Sequence, residues 1–211
     1  MIPANELLLF SIAAFGLVIS PGPNMLYLIS RSITQGRKAG MISLAGVIGG
    51  FLFHIIMVSF GLTAVLLAVP FAFTALKTLG IVYLLYLAWQ AIKPNSKNIF
   101  EARKDLPKDN PGKLFSMGFL TNVLNPKMAV FYLSFFPQFI KPEHGSVFLQ
   151  SLQLGITQMT ISFTVNCIIV MGAGKAVVWF AKNPKWVRFQ KWFMAGILTS
   201  LAVKMAFTKA K

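Results

Sequence analysis

SPGPNMLYLIS, residues 20–30, sets Pro21, Gly22 and Pro23 inside an apolar run long enough to cross a bilayer. Proline lacks a backbone donor and clashes with the carbonyl four residues earlier, and glycine adds backbone freedom, so the triplet breaks a helix there. A second stretch, LNPKMAVFYLS at residues 124–134, repeats the pattern with Asn125, Pro126 and Lys127. A break at that depth frees carbonyls on one side and amides on the other, and hydrocarbon satisfies neither. Amides at a half-helix N-terminus favour an anion such as a carboxylate, and the opposing carbonyls favour a cation such as an ammonium. An amino acid presents both groups. A structural kink repaired by neighbouring helices accounts for the breaks as well, on composition alone.

Outward from these stretches, the 211 residues are 56% hydrophobic and 12% charged, too apolar for an ordinary soluble domain. Six apolar runs, 6–29, 40–67, 71–92, 114–139, 147–174 and 187–207, reach the roughly 20 residues that a spanning helix requires. Between the third and fourth lies KPNSKNIFEARKDLPKDNPGK, residues 93–113, rich in Pro, Asn and charge and read as a solvated loop. The fold class is therefore all-α: a polytopic membrane protein of about six transmembrane helices. Its organisation is a first three-helix repeat at 1–92, a cytoplasmic linker loop at 93–113 and a second three-helix repeat at 114–211. An odd number of spans in each half makes the repeat inverted, with a proline-broken first helix in each.

The 20 Lys+Arg against 5 Asp+Glu give a formal charge of +15, which in a soluble chain would suggest nucleic acid. Here the basic residues fall mostly in short loops between apolar runs, without interleaved aromatic platforms, and 14 of the 20 follow spans one, three and five against 5 on the other side, Lys127 being the last. The positive-inside rule makes those loops cytoplasmic and both termini outward-facing. Contact with anionic lipid, and no nucleic-acid partner, is the expectation. No basic residue precedes Arg31, so the first apolar run is expected to stay in the membrane rather than be cleaved as a signal.

Several spans carry polar residues. Lys127 lies near the start of the fourth span and either snorkels to the cytoplasmic interface or faces a cavity, where its ammonium could hold a carboxylate. Gly46, Gly50 and His54 recur every four residues on the second span, so two glycines that permit close helix approach share a face with a side chain able to titrate near neutral pH. Gln158, Ser162 and Asn166 form a similar stripe on the fifth span, suited to hydrogen bonds between helices or to lining a cavity. No Asp or Glu falls well inside a span, and the single cysteine, Cys167, cannot form an internal disulfide or a redox pair. His54 and His144, far apart, offer no metal-ligand spacing, and no GxxxxGK[ST] motif is present. Cofactors, metals and catalysis are therefore not expected.

SPGPN, GVIGGFLFH, LGIVYLLYLAW and above all GFLTNVLNPKMAVFYLSFFPQF make nearly the whole chain resemble the LysE/RhtB family of amino-acid exporters. The resemblance implies a bacterial inner-membrane, multi-pass exporter of amino acids or their derivatives, driven by the proton motive force. By position it places the family's PGP signature on Pro21, Gly22 and Pro23, followed by Asn24, and its NPK signature on Asn125, Pro126 and Lys127. Gly46, Gly50 and His54 match the glycine-rich second span. Some relatives carry an aspartate just after the second glycine, where this chain has Phe51. That departure counts against a mechanism in which such an acid carries the proton; His54 is a candidate relay, with a neutral, hydrogen-bonded interior histidine as the alternative reading.

The reading is a secondary transporter that binds a small-molecule amino acid at Pro21, Gly22, Pro23, Asn24, Asn125, Pro126 and Lys127. Gly46, Gly50, Gln158, Ser162 and Asn166 are candidates to line the cavity. The alternatives are a membrane thiol or electron carrier, which a lone Cys167 disfavours, and a non-transporting assembly protein, which leaves two matching breaks unexplained. Homo-oligomerisation through Gly46 and Gly50 stays open alongside internal packing.

Overall fold

The computed structural model describes residues 1–19, 22–68, 108–181 and 184–207, with isolated positions between 78 and 93. Among these residues there are helices and turns and no strand, in keeping with the all-α expectation. Most of the third predicted span, 71–92, and of the 93–113 loop lies outside the described residues, as does Pro21.

Helix α1 runs Ala4–Ile19 and α2 runs Pro23–Ala68. The interruption falls where the sequence places it. Gly22 is outside helix, its carbonyl accepts the Leu26 N–H at 3.0 Å, and Pro23 takes the first helical position, where its missing donor leaves nothing unsatisfied. α2 is not one rod, because Gly36 adopts φ 86° and ψ 171°, a conformation that a Cβ would strain. The chain doubles back there: Ser43 Oγ donates to the Tyr27 hydroxyl at 3.1 Å, and Gly40 lies against Ser32. Residues 23–35 and 37–68 are thus two antiparallel limbs of a helical hairpin. The first predicted span, 6–29, is built from two pieces, α1 and the 23–35 limb, on either side of the break.

Helix α3, Pro111–Val123, starts with Pro111 in its first turn and with the Asn110 side chain accepting the Lys113 N–H at 2.8 Å. Leu124 ends it, Asn125 caps the next helix, α4 (Pro126–Val130), and the chain continues as a π-helical turn at Phe131–Phe135 and a 3₁₀ turn at Phe136–Gln138. The fourth predicted span is therefore broken as the NPK signature requires. After a 3₁₀ turn at Pro142–His144 come α5, Val147–Ala181, and α6, Pro184–Phe207. By length and apolar composition, Val147–Gly172 is long enough to cross a membrane; Pro23–Gly61 has the length and composition too but folds back at Gly36, and Ala4–Ile19 is a shorter apolar helix.

Small residues set the helix directions. Gly46 abuts the Phe115 carbonyl, Gly118 abuts the Ser43 carbonyl, and a Cβ on Gly50 would lie 2.6 Å from that of Asn122. These contacts run the 37–68 limb parallel to α3 at a distance that only glycine allows. Gly155 meets Ile55 and Gly40 meets Val170, which makes α5 antiparallel to the same limb. Phe10 of α1 is ringed by Phe131, Phe135, Phe136 and Phe139 at centroid distances of 5.3 to 5.9 Å. Large apolar side chains such as Leu8, Ile12, Ile56, Phe60 and Ile168 point outward, while Asn24, Ser43, His54, Asn122, Lys127, Gln158 and Asn166 are buried. That inversion of the soluble pattern belongs to a membrane protein, whose outer surface meets hydrocarbon.

Candidate functional site

The two breaks meet. A cavity of about 20 Å³ is lined on its polar side by Gly22, Asn24, Asn125, Lys127, Ser162 and Asn166, and on its apolar side by Val18, Met25, Phe51 and Met128. That volume holds about one water molecule. Five elements contribute: the end of α1, the start of the 23–35 limb, the 37–68 limb through Phe51, the α3–α4 junction and the middle of α5.

At the second break the sequence shapes the wall locally. Asn125, in an extended conformation, turns its side-chain oxygen onto the Lys127 N–H at 3.0 Å, and Pro126 fills the first helical position. The carbonyl of Asn122 accepts the Asn125 N–H at 3.0 Å, closing the end of α3. Lys127 follows, 6% exposed, and is the charged residue among those lining the cavity. At the first break Asn24 is buried, and its side-chain oxygen has no hydrogen-bond partner among the described residues. On α5 the stripe predicted from four-residue spacing faces inward as one line. Asn166 donates to the Ser162 carbonyl at 2.8 Å and to its hydroxyl at 3.1 Å.

Other predicted residues stand apart from this cavity. Gln158, one turn from Ser162, accepts the Tyr132 hydroxyl at 2.7 Å. His54 stacks on the Tyr132 ring, with centroids 5.2 Å apart and planes 12° apart, and its Nε2 lies 3.2 Å from the Asn122 carbonyl. The result is a buried polar chain, Asn122–His54–Tyr132–Gln158, joining the end of α3 to the 37–68 limb and α5. Gly46 and Gly50 are at the α2–α3 contact rather than in the cavity wall, so their place in this chain is internal packing. Pro23 opens the helix beside Gly22 and Asn24, and the Pro126 backbone does the same beside Asn125 and Lys127.

Sequence reasoning missed the apolar side of the cavity and the part played by Tyr132. Phe51 had a signal, since the family resemblance implies an acid there in some relatives, and it turns out to face the cavity. Tyr132, 0% exposed, reads in the sequence as one more aromatic of a hydrophobic run. Among the described residues no cluster of His, Cys, Asp and Glu could hold a metal ion. The arrangement offers one buried ammonium, several amide groups, a hydroxyl and a small apolar wall, which suits a compact zwitterion.

Comparison with known proteins matches the model of the LysE type translocator family to residues 15–209. The homoserine/homoserine lactone efflux protein of Salmonella typhimurium is 30% identical over 169 residues, 80% of each chain. That of Salmonella typhi is likewise 30% identical over 169 residues, again 80% of each chain. No solved structure matches.

Proposed function

The chain belongs to the LysE type translocator family, and from that premise we infer that its cavity carries a small zwitterionic amino acid outward by alternating access, driven by the proton motive force. Members of this family are transporters, not enzymes, and this chain is a membrane protein of amino-acid or amino-acid-derivative export. The setting we propose is the bacterial inner membrane, with six spans arranged as two inverted repeats, 1–92 and 114–211.

The observation that carries the substrate reading is the convergence of both helix breaks on one cavity. Lys127 supplies an ammonium for the substrate carboxylate, and the side-chain oxygen of Asn24, without a partner among the described residues, is an acceptor for the substrate ammonium. Asn125, Ser162 and Asn166 fit a short polar side chain, and the described lining has no carboxylate to attract a cationic one. Homoserine, which the Salmonella relatives are named for, has those features. A cavity of about 20 Å³ is too small for any amino acid, so one side must open for binding. His54 is the proposed proton carrier. With its Nε2–H donating to the Asn122 carbonyl, Nδ1 is left to take up a proton.

The test is efflux of homoserine from preloaded cells. Lys127→Met keeps length and removes charge, and losing a charge-assisted hydrogen bond, worth about 1.5–3 kcal/mol, is expected to lower efflux by about tenfold or more at unchanged membrane expression. Wild-type efflux in Lys127→Met would overturn the carboxylate role.

A further inference from the structure

We propose that Arg31, Gln35 and Asp109 form the cytoplasmic gate of this transporter, a latch that parts to admit substrate to the cavity. The proposal rests on the transport reading above and adds the element that closes the inner side.

The Asp109 carboxylate is held from three directions. Oδ2 accepts from Arg31 Nη1 at 2.5 Å and from Gln35 Nε2 at 3.2 Å, and Oδ1 accepts from Lys113 Nζ at 2.6 Å. Gln35 also accepts the Asp109 N–H at 2.8 Å, so one side chain grips both the backbone and the carboxylate. The Asp109 and Arg31 side chains are 3% and 9% exposed. Beneath them the Arg31 guanidinium lies 5.6 Å from the Tyr27 ring centroid, and the Tyr27 hydroxyl donates to the Leu114 carbonyl at 2.7 Å. These contacts bind the 23–35 limb to the segment that leads into α3, the two elements that go on to form the two breaks.

Position makes this tie a gate rather than a brace. Asn24, Tyr27 and Arg31 are spaced three and four apart and share one face of the limb, and a rise of 1.5 Å per residue puts Arg31 about 10 Å along the axis from Asn24. One short rigid limb therefore carries the cavity wall at its start and the latch at its end. The opposite end of the molecule is tied separately, by the Met1 amine donating to the His144 carbonyl at 2.9 Å and by the Lys141–Glu6 ion pair. Parting one of these ends gives a solute larger than water a route to the cavity. The chemistry suits parting, because an apolar seam opened to water is penalised by its whole area, whereas charges separated at an aqueous face are re-solvated. A buried ion pair adds little stability over an apolar contact but suits two alternative states.

Two experiments in a Cys167→Ser background test the latch. Gln35→Cys with Asp109→Cys joins the two sides; on oxidation, homoserine efflux is expected to fall about tenfold or more and to recover with reductant. Efflux that is unchanged with the disulfide formed shows a static contact and overturns the proposal. In the second, Val18→Cys reports access to the cavity, labelled by an impermeant thiol reagent from the cytoplasmic face of inside-out vesicles. Adding Asp109→Asn, which keeps shape and removes charge, is expected to speed labelling about tenfold, within the usual range of coupling between distant sites. Labelling at the unaltered rate overturns the latch. A Cys167→Ser parent that exports no amino acid sinks the transport reading instead, and the Val18 labelling still decides the latch.

Discussion

Asn125 caps α4 with its side-chain oxygen and, by the same turn, brings Lys127 to the cavity. At the other break the Asn24 side-chain oxygen has no hydrogen-bond partner among the described residues. His54 holds the intermediate position, tied at Nε2 to the end of α3 and stacked on Tyr132. A relay and a cap differ in what glutamine can replace, since an amide donates a hydrogen bond but does not take up a proton at physiological pH. If His54 carries the proton, His54→Ala and His54→Gln both lose efflux driven by a pH gradient while keeping exchange of labelled for unlabelled substrate. Gradient-driven efflux retained in His54→Gln assigns the residue to the cap instead. Asp109, in the loop outside the spans, is kept ionised below the usual carboxylate range, chiefly by its hydrogen bond to Lys113 and then by Gln35 and Arg31, against the opposing effect of burial. The latch therefore stays charged through neutral and mildly acidic pH.

The element that organises the molecule is the α2 hairpin, which packs against α3 and α5 through glycines. Gly50 has no room for a side chain, since its Cβ would sit 2.6 Å from the Asn122 Cβ and 3.0 Å from the Phe119 carbonyl. Overpacking of this kind costs about 1–3 kcal/mol or more, because a backbone contact cannot rearrange as a side chain can. Gly50→Leu is expected to lower the unfolding temperature of the detergent-purified protein by several degrees. Gly196→Ala, where a Cβ meets nothing within 4 Å, is expected to leave it unchanged or raise it slightly. Equal melting of Gly50→Leu and the parent would contradict the tight α2–α3 contact. The π-helical turn at Phe131–Phe135 is a second device at this scale. It follows the short helix α4 after the second break and includes Tyr132, the residue between His54 and Gln158.

At the scale of the whole molecule, the contacts separate into two ends. Arg31, Gln35, Asp109 and Lys113 gather at one, and Met1, Glu6, Lys141 and His144 at the other. The 37–68 limb and α3 both start at the first end and run in parallel. That is the arrangement expected if the loops rich in Lys and Arg lie on one side. Reporter fusions after Asn98 and after Lys211 are therefore expected to show a cytoplasmic linker and an outward C-terminus. Cytoplasmic activity at both would mean an odd number of spans and would remove the inverted repeat.

What the sequence determined by itself is whatever depends on local chemistry. Proline at residues 23 and 126 cannot sit inside an unbroken helix, so both breaks were legible as written, and so was the inward stripe of Ser162 and Asn166, which follows from helical periodicity. An apolar composition with basic loops fixed the membrane class for the same reason. The tertiary structure decided what depends on distance between elements. Only packing shows that Asn24 and Lys127, more than 100 residues apart, line one cavity, that Phe51 faces it, and that Gly46 and Gly50 serve the contact with α3. The pairing of Arg31 with Asp109 was equally invisible, since each reads alone as a solvated loop charge. Long-range contacts arise from how the hairpin folds back at Gly36 and where glycines let backbones approach, and a one-dimensional pattern carries no measure of either.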